Sequence, residues 1–115
     1  MSRALEPQTA AAVFFALGDP TRLSLLARLS LGPALSATQL AQGAGVTRQA
    51  ITKHLAVLED AGLVVSTRHG RDVLYVLEAA RVDAARAFLD GVSQGWDRAI
   101  ARLQRLVEDG EDDDG

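Results

Sequence analysis

Four side chains that donate hydrogen bonds or carry positive charge, Arg48, Gln49, Thr52 and Lys53, stand within six consecutive positions. At about 3.6 residues per turn they gather on one side of a helix, while Ile51, Leu55, Leu58 and Ala61 form an apolar stripe on another. Arginine and lysine neutralise phosphate oxygens. Arginine also reaches guanine with two prongs, and glutamine does the same for adenine. The acids of this stretch, Glu59 and Asp60, come only in its last turn. That order is unfavourable for the helix dipole alone, but it suits a helix whose first turns meet something negative.

Other chemistry is sparse. Cysteine is absent, so disulfides, thiolate metal sites and thiol nucleophiles are excluded together. The two histidines, His54 and His69, fall on different elements with no partner set suited to zinc or to nucleophilic catalysis. No glycine-rich phosphate loop follows a strand. No metal, cofactor or enzymatic activity is expected.

The elements that must position the polar face have marked ends. Thr47 is placed to cap the helix at its start. Gly62 is placed to stop it in a left-handed conformation, with Leu63 folding back on Leu58. Upstream, Ser36-Ala37-Thr38-Gln39 reads as a capping box opening a short helix to about Gln42. Gly43-Ala44-Gly45-Val46 turns from it into the next, so the pair reads as a helix-turn-helix. Asp19-Pro20 opens an earlier helix to about Leu31, whose leucines surround most of its girth and predict a central, buried element. Thr9 to Leu17 predicts a first helix with Ala10, Val13, Phe14 and Leu17 on one face. Downstream, Leu63 to Arg68 and Val73 to Glu78 alternate like strands around the turn His69-Gly70-Arg71-Asp72, a hairpin that serves as a wing.

From about Ala80 to Val107 the helical period returns. Leu89, Val92, Trp96, Ile100 and Leu103 step by three or four, and Phe88, Gly91 and Gly95 make a second stripe. Two apolar faces exceed what one small domain can cover. A homodimer built on the first and last helices is therefore expected, through Val13, Phe14, Leu17, Phe88, Leu89, Val92, Trp96, Ile100 and Leu103. Gly91 and Gly95 serve either close helix approach or a kink.

The net charge of -3 is misleading, because six of the fifteen acids lie in the tail from Glu108 to Asp114. Without them twelve bases face nine acids. From Pro20 to Leu58 there is no acid, while Arg22, Arg28, Arg48 and Lys53 are present. The expected organisation is one domain over residues 1–107 and a disordered acidic tail over 108–115. Met1 to Pro7 is expected to be a loose lead-in. No signal peptide or membrane-spanning run is visible, and a cytoplasmic location is expected.

The order of elements resembles the ArsR-type family of bacterial winged helix-turn-helix repressors. The resemblance is carried by Leu17-Gly18-Asp19-Pro20-Thr21-Arg22-Leu23, by Val46 to Val64 with its His54-Leu55 and Gly62-Leu63-Val64, by Gly70-Arg71, and by Tyr75. It spans about Ala10 to Val107. It implies a mainly α fold of five helices plus a small β-hairpin wing, dimerising through the first and last helices. Many members hold a cysteine pair near the short helix, and others ligate metal through the last helix. This chain has no cysteine and no histidine after His69, and Trp96 is similar to a branch that senses no metal.

Together these readings predict a dimer on double-stranded DNA with a palindromic operator. The helix starting at Thr47 would enter the major groove with Arg48, Gln49, Thr52 and Lys53 nearest the DNA, and Thr38 and Gln39 would hold the backbone. Arg68, His69 and Arg71 would take the flanking phosphates or the minor groove. His54 either bonds locally or joins the contact. An unknown small molecule or protein is left open as effector. A winged-helix module that binds protein rather than DNA is the alternative, against which the acid-free span weighs.

Overall fold

The computed structural model describes residues 5–113, with side chains through Asp109. Helix α1 (Pro7–Leu17) and α2 (Pro20–Ser30) are followed by β1 (Leu35–Ser36), α3 (Ala37–Ala41) and α4 (Arg48–Asp60). The hairpin β2 (Val64–His69) and β3 (Asp72–Leu77) leads into α5 (Ala79–Asp113). Five helices and a wing are observed as the sequence predicts, with one addition. Strand β1 pairs antiparallel with β3, Leu35 facing Tyr75 and Ser36 facing Leu74, so the sheet runs β1-β3-β2. Two residues are too few to show alternation. Ser36 is extended because it is also the N-cap of α3, and a capping residue takes β-region angles.

The predicted ends form. Asp19 accepts from the Arg22 N–H at 3.0 Å. Ser36 and Gln39 close the capping box, at 3.2 and 2.8 Å. Gly62 has φ +77, its N–H reaches the Glu59 carbonyl, and the Leu63 N–H reaches the Leu58 carbonyl, each at 2.9 Å. That pair of bonds is the Schellman stop. A Cβ on Gly62 would stand 2.8 Å from Arg81 Nε, in a conformation L-residues avoid. Gly62→Ala should therefore cost about 1–2 kcal/mol in urea unfolding. An unchanged midpoint would mean the stop relaxes freely.

Val13, Leu25, Leu40, Ile51, Leu55, Leu58, Leu63 and Val64 make the fully buried core. The structure departs from expectation at α2 and at Val13. Helix α2 is not buried around its girth: Leu25, Leu26 and Leu29 face inward, but Leu23 is 50% exposed and Ala27 is also open. Val13 is 0% exposed within the protomer and has no surface to lend a partner. The face that α1 does present carries Phe15, 71% exposed. Periodicity identifies an apolar face but not which of two neighbours covers it.

Helix α5 holds 35 residues, about 52 Å of rise. Its first turns pack on the body through Val82 and Ala85, and Phe88 lies 5.8 Å from Phe14, ring centre to ring centre. Beyond that, Leu89, Val92, Trp96, Leu103, Leu106 and Val107 are all more than half exposed. The helix continues unbroken through Gly91 and Gly95, and nothing in the protomer lies within 4 Å of where their Cβ atoms would be. Its backbone also runs past residue 107 to Asp113, so the acidic stretch starts as a continuation of α5. The rest of the expected tail, like Met1 to Ala4 of the lead-in, lies outside the described residues. No single helix among the described residues is long and apolar enough to cross a membrane.

Candidate nucleic-acid interface

Helix α4 buries Ile51, Leu55 and Leu58 completely and turns Arg48, Gln49, Thr52 and Lys53 to the outside, all exposed. Thr47 caps it through Oγ1, which accepts from the Ala50 N–H at 3.1 Å. Thr52 Oγ1 donates to the Arg48 carbonyl at 3.0 Å. Its only proton is thus spent within the helix, leaving lone pairs and a methyl group for a partner. Gln39 is similarly divided: its Oε1 closes the capping box, which frees only its amide N–H₂. Thr38 is exposed at the start of α3.

A groove of about 520 Å³ separates this face from the wing, lined among others by Thr38, Gln39, Arg48, Thr52, Arg71 and Tyr75. Register brings His69 opposite Asp72, so the hairpin closes over Gly70 and Arg71 alone, tighter than the predicted four-residue turn. Gly70 has φ +63, as the first central residue of such a turn requires. Arg68, His69 and Arg71 are exposed at its tip. Tyr75, whose type and place in the strand pattern point to no contact, also lines the groove. Its hydroxyl is held above the ordinary phenol range by burial and then by the charge of Glu59, and it stays a neutral donor. A tyrosine inside a strand pattern is not separable from core by its type.

The basic span from Pro20 to Leu58 is divided differently from the expectation. Arg28 donates to the carbonyls of Leu40 and Gln39 at 2.9 and 3.3 Å, clamping α3 onto α2. Arg22 donates to the carbonyls of Ala16 and Phe15 at 2.6 and 3.2 Å and meets His54 Nδ1 at 3.2 Å. Both satisfy backbone groups at helix ends. His54 is correspondingly withdrawn from the outer face: its side chain is 24% exposed and also lies 3.8 Å from Asp19 Oδ2. It belongs to the scaffold behind the face. Of that span, Arg48 and Lys53 are the cations left pointing outward, joined on the wing by Arg68 and Arg71.

Asp19 sits at the centre of that scaffold. The Arg22 N–H chiefly, with the Arg22 charge adding, holds its carboxyl below the ordinary value of 3.8 against an opposing effect of burial. A carboxyl depressed by folding contributes stability above its unfolded pKa and loses it as pH falls through the folded value. Asp19→Asn, which keeps an accepting oxygen but no charge, should flatten the stability loss below about pH 4 in urea titrations. An acid limb as steep as that of the wild type would show that the charge contributes nothing.

A helix with a donor-rich outer face, set behind a short helix and beside a cationic hairpin, defines a winged helix-turn-helix transcriptional regulator. A family model described as a helix-turn-helix domain matches residues 17–67. The chain is 37% identical over 98 residues to the HTH-type transcriptional regulator Rv2034 of Mycobacterium tuberculosis, covering 85% of this chain and 88% of that one. It is 37% identical to an ArsR-like transcriptional regulator of known structure from Rhodococcus sp. RHA1, with a TM-score of 0.76 over 86% of this chain and 92% of that one. The homodimeric winged helix-turn-helix DNA-binding domain of Mb0332 from Mycobacterium bovis is similar at 27% identity and a TM-score of 0.60, over 83% and 84% of the two chains. The chain belongs to the ArsR family of winged helix-turn-helix transcriptional regulators.

Proposed function

We propose that the chain is a homodimeric repressor that binds a palindromic operator and occludes transcription. The observation that carries this reading is the outer face of α4, where Arg48, Gln49, Thr52 and Lys53 stand exposed ahead of the first acid of the helix. Gln49 and Arg48 read base edges, Lys53 takes a base or a phosphate, and Thr52 supplies its methyl group to a thymine or its lone pairs to a donor. Thr38, the Gln39 amide and the α4 start at Thr47 hold backbone phosphates. Arg68, His69 and Arg71 contact flanking DNA.

Dimerisation rests on the uncovered stripe of α5 and on Phe15. Most helical stability in proteins comes from packing an apolar face, and the protomer leaves most of that face of α5 open. Phe14, Leu17, Phe88, Leu89, Val92, Trp96, Ile100 and Leu103 remain in the proposed interface, which Val13 supports from within. The Mb0332 domain, homodimeric and alike in fold, agrees with this assembly. Two-fold symmetry then sets half-sites about 10–10.5 bp apart or a multiple of it. Such a regulator acts in the cytoplasm, where the operator lies, and a small-molecule or protein effector is the remaining partner.

Fluorescence anisotropy on operator and random duplexes tests the division of labour. Gln49→Ala should reduce discrimination at one base position by about 1–3 kcal/mol, while Arg71→Ala should weaken every sequence alike and lower the salt slope by about one. Equal losses on both duplexes from both changes would refute it.

A further inference from the structure

We propose that Arg22 is a positioning residue for DNA recognition, fixing the rotation of α4 on the body through His54. This rests on the DNA-binding reading above. Arg22 stands at the centre of the densest polar network among the described residues. Its own N–H donates to Asp19, Nε to the Ala16 carbonyl, Nη2 to the Phe15 carbonyl, and Nη1 meets His54 Nδ1 at 3.2 Å. Its guanidinium also lies 5.4 Å from the centre of the Phe15 ring. The side chain therefore joins the last turn of α1 to the flank of α4, while the backbone of the same residue closes the cap of α2.

The link to α4 matters because of what else holds that helix. Ile51, Leu55 and Leu58 grip one side by apolar packing, which is not directional. Directional side-chain bonds hold α4 at two places, Ser66 Oγ donating to Glu59 Oε2 at 2.6 Å in the last turn and Arg22 meeting His54 at mid-helix, beside Lys53. A rotation of about 10° about the helix axis moves its surface on the order of 1 Å, enough to misalign a two-pronged base contact while leaving phosphate contacts within reach. Because arginine only donates, Nδ1 must accept, and the proton of the neutral ring must sit on Nε2. The same network receives α1, whose Phe15 lies on the proposed dimer face.

His54→Leu removes the acceptor, and His54→Asn restores one near the Nδ1 position. Operator and random-duplex affinities should be measured by anisotropy at concentrations where sedimentation shows the dimer. His54→Leu should lose about tenfold on the operator and change little on random DNA, as expected for one bond to a charged donor. His54→Asn should recover most of the loss. Arg22→Met should match His54→Leu, with no further loss in the double variant. Nitrogen NMR of the wild type should show the Nε2–H tautomer. Equal impairment of the asparagine and leucine variants, equal losses on both duplexes, or an Nδ1–H ring would overturn the proposal. A wild-type chain that binds no DNA would overturn the proposed function and this inference with it. Wild-type binding with an unaffected His54→Leu variant would overturn this inference alone.

Discussion

Trp96→Asp should convert the protein to a monomer at about 10 µM and lower operator affinity by about 100-fold or more. Trp96 is 66% exposed in the protomer, so its replacement removes little from the protomer's own packing. In a two-fold assembly one substitution acts twice, and each copy would bury an unpaired carboxylate in an apolar seam. Loss of the partner also turns binding of the second half-site into an independent event. Leu103→Asp, about two turns further along α5 and 61% exposed, should act in the same direction. Sedimentation that still shows a dimer for both variants would place the assembly surface elsewhere.

Leu55→Ala should cost about 3–5 kcal/mol of folding free energy, the range for a fully buried leucine whose surroundings cannot collapse. Leu55 is 0% exposed and lies on the inner side of α4, so the cavity would open beneath the DNA-facing helix. Against a total of about 5–15 kcal/mol this is a large fraction, and the melting point should fall on the order of 10–20 °C. Because dimerisation makes apparent stability depend on concentration, both proteins must be compared at the same one. A loss below about 1 kcal/mol would mean that α4 is not packed as described.

What the sequence made legible was local chemistry. Asp19, the Ser36–Gln39 pair, Thr47 and Gly62 each act through bonds to residues at most a few positions away, so type and spacing sufficed to place the helix ends. The outer face of α4 followed from those ends and from the position of Ile51, Leu55 and Leu58. Non-local pairings were not legible. Strand β1 exists because residues about forty positions apart meet, Leu35 with Tyr75 and Ser36 with Leu74. Arg22 and Arg28 counted as free cations in the sequence, whereas packing turned both toward helix carbonyls. His54 moved with Arg22 for the same reason. Leu23 and Val13 exchanged roles because an all-round apolar helix does not declare which side the protomer covers.

Selection of bound fragments from random duplex DNA, followed by sequencing, addresses the central claim most directly. Enriched fragments should share an inverted repeat whose halves are spaced by about one helical turn or a multiple of it. The Gln49→Ala variant should enrich the same spacing with one degenerate position per half. Recovery of fragments with no shared sequence, at low salt and with the dimer intact, would contradict the account.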